Sequence, residues 1–452
     1  MSTIVALATP LGVSAIAVVR VSGPAVKDIC KIILPNFDMK PRTARLVNTF
    51  IDTLLAIYFP APNSHTGEDI LELFPHGNPF IVRKLIEEIC KIPGTRLAER
   101  GEFTERAFLN GKIDLTQAEA LGDLLSANNS KKLANARKLL TGEISAEIKT
   151  LAENLKEVSA LLELEVDFAE DVGVDEDARR ALPLRKVIEN IQRHLQSLKK
   201  RFRVATNELP RVVLFGAPNA GKSTLINALV KEERLLVSEV PGTTRDFVEV
   251  PLHLPSGDVL LIDTAGLASE AQSNIDKQAM QKTCEILEKA NLKILVIDVS
   301  IDLPPEFKEW EKNADMVVLT HIDIACSELR CKDTPSGDFV PATPLQKEGK
   351  CSFNVAVPKN TGIKELREKL EDIFFPKEES EEVWITSERQ IACIKKAEEC
   401  VERALELLSQ SDAIETIAFE MREARNALCS ITGEISDESI LNAIFSSYCI
   451  GK

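Results

Sequence analysis

The chain has no Cys-x-x-Cys pair among its ten cysteines (30, 90, 284, 326, 331, 351, 393, 400, 429 and 449). Such a scatter suits neither a zinc site nor a disulfide framework, and it leaves most of these residues as small buried hydrophobes. Long apolar runs are also missing: stretches such as Val212 to Phe215 fall far short of the roughly 20 residues a membrane helix needs. No bilayer span is expected. Basic residues are in deficit, 55 Lys and Arg against 70 Asp and Glu, and a net charge of -15 repels nucleic acid overall. Any RNA contact therefore has to be local or shared. The one basic cluster, Lys199-Lys200-Arg201-Phe202-Arg203, ends a helical pattern and reads as a solvated helix end. Met1-Ser2-Thr3-Ile4-Val5 lacks the basic and apolar regions of a secretory signal and reads as the start of a strand, so the expected location is cytoplasmic. Internal repeats and low-complexity tracts are absent too.

What is present is length and periodicity. At 452 residues the chain exceeds one ordinary core, and about three domains are expected. Residues 1 to about 115 mix β-rich runs (Ile16 to Val21, Leu54 to Phe59) with one helical stretch near Phe80 to Ile89, which predicts an α+β domain. From Leu133 the apolar positions 133, 140, 144, 148, 151, 155, 158 and 162 recur at helical spacing and predict one long amphipathic helix. Leu184 to Leu198 repeats the pattern, and Ile391 to Leu408 shows it again. Between these helical blocks, residues 209 to about 375 alternate apolar runs (Val212 to Phe215, Val259 to Ile262, Ile294 to Val299, Met316 to Thr320) with helical segments, as a parallel α/β sheet does. Two blocks of one-faced helices bury those faces most economically on each other, so the α/β part is read as an insertion. The resulting division is 1–115, 116–208, 209–375 and 376–452, with Lys377 to Glu382 as the linker back into the helices.

Gly216-Ala217-Pro218-Asn219-Ala220-Gly221-Lys222-Ser223 fits G-x-x-x-x-G-K-[ST] and lies between the apolar run Val212 to Phe215 and the helical Leu225 to Leu229. Glycines let the backbone wrap a β-phosphate, Lys222 reaches the β and γ oxygens, and Ser223 can ligate Mg²⁺. Asp263-Thr264-Ala265-Gly266 follows Val259 to Ile262, adding an acid for the Mg²⁺ shell and a glycine N–H for the γ-phosphate. Pro241-Gly242-Thr243-Thr244-Arg245-Asp246 stands where a GTPase carries its switch threonine. These residues imply a nucleoside triphosphate with Mg²⁺. At the guanine-reading N-K-x-D position the chain has Thr320-His321-Ile322-Asp323. Asp323 accepts from guanine N1–H and N2–H₂, which adenine does not offer, and this favours GTP. His321 takes the place of the stacking lysine. The S-A-K loop is degenerate around Val355-Ala356-Val357-Pro358, and weaker guanine affinity is expected.

The P-loop together with Val237 to Asp246 (V-S-E-V-P-G-T-T-R-D) resembles the MnmE/TrmE family of tRNA-modification GTPases. The likeness extends through Thr3 to Pro10, Arg20-Val21-Ser22-Gly23, Thr66-Gly67-Glu68-Asp69, Gly101 to Lys112, and the terminal Cys449-Ile450-Gly451-Lys452. It implies an N-terminal α+β folate-binding and dimerisation domain, a split helical domain, and an inserted Ras-like G domain with a doubly wound, mainly parallel sheet. It implies, further, a homodimer acting with the flavin-binding MnmG (GidA) in a heterotetramer, and a tetrahydrofolate derivative (5-formyl or 5,10-methylene) as one-carbon source. The product is an aminomethyl-type group on C5 of the wobble uridine, position 34, of certain tRNAs.

By the same resemblance Arg20, Glu72, Lys112 and Lys452 contact the folate, and the thiol of Cys449 lies near it. Nucleotide contacts carry over to Asn219 through Thr224, to Ser238, Glu239, Val240, Pro241, Gly242, Thr243 and Thr244, to Asp263 through Gly266, and to Thr320 and Asp323. Ser223 and Thr244 are the Mg²⁺ ligands. Asn219, Ser238, the Val240 carbonyl and Thr243 hold a K⁺ that does the work of an arginine finger. Three features depart from the pattern: Asp276 in place of the glutamate that orients water, a reduced Gly12-Val13-Ser14-Ala15 turn, and His76-Gly77-Asn78 for H-G-G. An alternative is a ribosome-assembly or regulatory GTPase without modification chemistry, but such proteins append a basic RNA module, which this chain lacks. Another is a one-carbon transferase with a decayed G domain, and intact Lys222, Ser223, Thr244 and Asp263 argue against it.

Overall fold

Along Thr53–Phe59 every second residue, Leu54, Ala56 and Tyr58, is buried, the period-two signature of a strand with one face on a core. The computed structural model describes residues 2–168, 177–202, 208–231, 248–264, 285–301, 307–321, 351–355, 362–376, 383–410 and 414–451. They belong to two compact units, Met1–Ala127 with Leu133–Ala205 and Glu382–Lys452, and Asn128–Lys132 with Thr206–Glu381.

The first unit opens with β1 (Thr3–Leu7), β2 (Ser14–Ile16), β3 (Val19–Ser22), α1 (Val26–Ile33), β4 (Arg45–Asn48), β5 (Thr53–Phe59), β6 (Ile70–Phe74), β7 (His76–Gly77), α2 (Pro79–Cys90) and β8 (Thr95–Leu97). Six of these strands form a sheet in the order β4-β5-β6-β3-β1-β8. Residues of α1 (Ile29, Ile33) and α2 (Leu85, Ile89) share a core with Val5, Val21 and Leu71 of the sheet. The run Ile16 to Val21 is not one strand, because the intervening backbone serves two partners. Ala17 N–H donates to the Pro75 carbonyl, while the Val18 carbonyl accepts from Ala8 N–H. Helix α1, buried at Val26, Ile29, Cys30 and Ile33, is a helix of this domain beyond the one expected near Phe80 to Ile89, and its apolar spacing is helical.

Next come α3 (Glu102–Leu109), α4 (Leu115–Ser126), α5 (Ser130–Leu140), α6 (Glu143–Phe168) and α7 (Asp177–Lys200). Asp114 and Gln117 close a reciprocal capping box at the start of α4. The single helix expected from Leu133 to Leu162 is two, interrupted at Gly142, whose φ of +82° leaves the right-handed helical region. Leu133 is exposed, while Leu139 and Leu140 at the end of α5 join the core that α6 lines.

The second unit contains β9 (Arg211–Phe215), α8 (Lys222–Lys231), β10 (Val248–Leu254), β11 (Gly257–Asp263), β12 (Leu292–Asp298), α9 (Phe307–Asn313), β13 (Met316–Thr320), β14 (Cys351–Asn354) and α10 (Ile363–Phe374). Its sheet runs β10-β11-β9-β12-β13-β14, parallel throughout except for β10 against β11. Val212 to Phe215 and Met316 to Leu319 are buried without alternation, as strands covered on both faces must be.

The first unit ends in α11 (Glu388–Gln410), α12 (Ile414–Thr432) and α13 (Glu438–Ser446). Ile148, Leu155 and Val158 of α6, Ile191 and Leu195 of α7, Ile394 and Val401 of α11, and Met421 and Leu428 of α12 make one core. The basic cluster at the end of α7 serves this helical packing. Lys199 pairs with Glu398 and Arg201 with Glu147, each at 2.8 Å, and Phe202 packs on the core. Arg203 and Lys377 to Glu382 lie outside the described residues. The chain is multidomain, α/β plus α.

Candidate functional site

The loop from β9 to α8 is shaped by its glycines. Gly216 has φ +146°, and a Cβ there would collide with the Val296 carbonyl of the adjacent strand β12; Gly221 has φ +88°. Asn219, also left-handed at φ +62°, is exposed at the tip. Lys222 opens α8, and its buried Nζ donates to the carbonyls of Ala217 (2.9 Å) and Gly216 (3.2 Å). Burial pulls the ammonium below its ordinary pKa, and nearby Asp263 opposes that.

Ser223 follows, and its hydroxyl donates to Oδ2 of Asp263 at the end of β11. The other carboxylate oxygen, Oδ1, is buried and has no hydrogen-bond partner among the described residues. A buried anionic oxygen left unpaired beside a hydroxyl is a poor arrangement for stability and a good one for a hard cation, since Mg²⁺ takes one or two protein oxygens and fills the rest with water and phosphate. Thr264 anchors the strand end by donating to the Leu214 carbonyl at 2.8 Å. Thr224, next in α8, is exposed.

At the end of β13 the buried Thr320 hydroxyl lies 2.8 Å from the Ala220 carbonyl and 3.0 Å from that of Ile297. His321 follows at φ +57°, its Nδ1 2.9 Å from Oδ2 of Asp298. Burial would raise the Asp298 carboxyl, but hydrogen bonds from Ser300 and the charge of the nearby His321 ring hold it below the usual range. Phosphate loop, acid and base-side residues thus gather at the carboxyl edge of the parallel strands, where open α/β sheets bind ligands. Ser238 through Thr244, Ala265, Gly266, Asp276 and Asp323 lie outside the described residues.

In the first unit Arg20 of β3 and Glu72 of β6 are register partners, and Arg20 Nε donates to Glu72 Oε1 at 2.9 Å. The guanidinium also stands 5.8 Å from the centre of the Phe103 ring and donates to the Gly451 carbonyl at 3.5 Å. Residues 431 apart therefore meet. Cys449 is exposed two residues before Gly451; Lys452 lies outside the described residues. Lys112 is exposed, its stem against the Gly67 turn.

Two stretches of the family resemblance, Thr66 to Asp69 and Gly101 to Lys112, meet in the structure, a juxtaposition their separation in sequence does not show. Arg106, buried in α3, donates to Glu68 Oε2 at 3.0 Å and to Glu102 Oε1 at 2.8 Å. Ser22 donates to Glu68 at 2.7 Å, and Asn110 to the Thr66 carbonyl at 2.7 Å. This relay ties the turn that Lys112 lies against to the strand that carries Arg20. Charged residues inside Gly-Glu-Phe-Thr-Glu-Arg-Ala-Phe were the available signal, because charge in an apolar helix is kept only when paired.

Two family models match the chain: the MnmE helical domain over residues 115–449, and the GTP-binding protein TrmE N-terminus over residues 3–112. The chain belongs to the MnmE family. It is similar to the tRNA modification GTPase MnmE of Aquifex aeolicus (strain VF5), 38% identical over 99% of each chain. It is similar as well to the MnmE of Actinobacillus pleuropneumoniae serotype 3 (strain JL03), 35% identical over 100% of this chain and 99% of that one. Among solved structures, the G domain of the T. maritima FeoB iron transporter resembles 36% of this chain over 97% of its own length, at 27% identity and a TM-score of 0.25. Among the described residues no helix is long and apolar enough to cross a membrane.

Proposed function

We propose that this member of the MnmE family hydrolyses GTP in a K⁺-dependent cycle that drives addition of an aminomethyl or carboxymethylaminomethyl group to C5 of the wobble uridine of certain tRNAs. A GTPase acting in tRNA modification follows from membership of the family. The finer reading has the chain as a homodimer working with the flavin-binding MnmG in a heterotetramer in the cytoplasm, the carbon coming from a tetrahydrofolate derivative. Residues 1–115 would bind folate and dimerise, 209–375 would be the inserted G domain, and 116–208 with 376–452 the split helical domain.

The observation that carries the nucleotide chemistry is the Ser223–Asp263 pair with its unpartnered Oδ1, beside the buried Lys222. Lys222 would exchange its two carbonyl partners for β and γ oxygens and place positive charge on them. Ser223 and Thr244 would hold Mg²⁺, with Asp263 in its shell, and the ion would neutralise negative charge on the phosphates. Asn219, the one proposed K⁺ ligand among the described residues, offers an exposed amide oxygen at the loop tip, and Ser238, Val240 and Thr243 would complete that oxygen set. Asp276 would orient the attacking water and Asp323 would read guanine.

For the folate the donor set is Arg20 and Glu72, with Lys112 and Lys452 as further charges and Cys449 as the nearby thiol. A guanidinium and a carboxylate side by side suit a ligand carrying both a pterin-type donor and acceptor edge and anionic groups. Mass spectrometry of wobble nucleosides from cells with and without the protein tests the reading: loss of the C5 group is expected, and unchanged nucleosides would sink it.

A further inference from the structure

The C-terminal segment is seated by shape on α3 and α4. Phe445 of α13 is buried with Leu115 and Ala118 of α4, and its ring centre lies 6.2 Å from that of Phe108. Tyr448, also buried, stands edge-on to Phe445 at 6.0 Å and 87°. Its hydroxyl donates to the Ala118 carbonyl, inside α4. Room for the phenol exists only because residue 122 is glycine: a Cβ there would lie 2.9 Å from Tyr448 Cε1 and 3.3 Å from its oxygen. Beyond Tyr448 the chain makes a backbone bridge from Ile450 to Arg100, and Gly451, at φ +96°, sits where a Cβ would collide with the Leu7 carbonyl. Cys449 lies between these two anchorages with its side chain exposed.

We infer that Tyr448 is a positioning residue: its ring and hydroxyl, fitted against Gly122, set the register of the last residues so that the Gly451 carbonyl meets Arg20 of the Arg20–Glu72 pair and Cys449, two residues earlier, is held at a fixed place in the tail. The presentation at a folate-type ligand rests on the function proposed above; the anchoring does not. Burial, with the carboxylates of Glu119 and Asp123 nearby, raises the phenol above its ordinary pKa, so the hydroxyl stays protonated and keeps donating at any pH the protein tolerates. A phenylalanine would fill the same space without that bond, and the tail would keep its seat but lose its fixed depth.

The test uses the full-length protein and three variants, Tyr448→Phe, Tyr448→Ala and Gly122→Ala; the last displaces the ring from the opposite side and leaves the tail sequence intact. Carboxypeptidase trimming, read by intact mass, should remove Gly451 and Ile450 about tenfold faster in Tyr448→Ala and Gly122→Ala, with Tyr448→Phe between them and the wild type. Affinity for 5-formyltetrahydrofolate should fall in the same order while GTP hydrolysis, whose residues lie in the other unit, stays at the wild-type rate, and an unchanged thermal unfolding profile reports intact folding of the unit that carries residues 122 and 448. Equal trimming in all four proteins would overturn the inference. If wild-type protein fails to bind 5-formyltetrahydrofolate but the trimming order holds, the anchoring role stands and the folate assignment falls.

Discussion

The hydroxyl of Thr320 lies 2.8 Å from the carbonyl oxygen of Ala220, so the end of β13 is tethered to the phosphate loop one hundred residues earlier. The Asn of N-K-x-D is replaced here by a shorter side chain that still bridges the base side and the phosphate side of the site. Because the hydroxyl is buried, its loss leaves a carbonyl without this partner, at about 1–2 kcal/mol. Thr320→Val should weaken GDP binding roughly tenfold in a fluorescence titration, with Thr320→Ser near wild type. Equal affinities in all three would show that the tether carries no binding energy.

Gly216→Ala should abolish nucleotide binding. The added methyl meets the backbone oxygen of Val296, which cannot yield without moving β12, and the residue would also be held at φ +146°. Calorimetric titration with GTP is the check; measurable binding would mean the loop can be rebuilt around an alanine.

Hydrolysis should rise markedly when K⁺ replaces Na⁺ in the assay, since the proposed oxygen set built on Asn219 fits the larger ion. Similar turnover in the two salts would remove the cation from the mechanism.

Glu102 makes the first unit acid-sensitive. Burial alone would raise its carboxyl, but Arg96, the Glu99 N–H and Arg106 reverse that and hold it below its ordinary 4.5. The contribution is therefore complete above about pH 4.5 and is lost as pH falls through the lower, folded-state value. Urea midpoints of the wild type should drop over that acidic window, and those of Glu102→Gln should start lower and change less. Arg106→Met, which leaves Glu68 with the Ser22 hydroxyl in place of a guanidinium and Glu102 with Arg96 and the Glu99 N–H, should cost about 3 kcal/mol at neutral pH.

Lys222→Ala and Asp263→Ala should remove both GTP hydrolysis and tRNA modification. Cys449→Ser or deletion of Lys452 should remove modification and leave hydrolysis nearly intact, because the tail belongs to the other unit. Equal loss of hydrolysis in the tail variants would make the tail structural.

Local chemistry is what the sequence carried by itself. Gly216 to Ser223 is legible because a turn that needs positive φ, a lysine and a hydroxyl must follow one another within eight residues, between an apolar run and a helical one. Parallel α/β alternation and the two helical blocks were legible for the same reason, since burial on one face imposes a period. The same periodicity misled at Gly142, where apolar spacing continues across a residue whose backbone leaves the helix. Tertiary structure alone decided which distant groups meet. Arg20 faces Glu72 because β3 and β6 pair in one register, and Ser223 reaches Asp263 because β11 lies beside β9. A slip of one residue would turn either side chain to the opposite face, and no local pattern of residues encodes strand order or register.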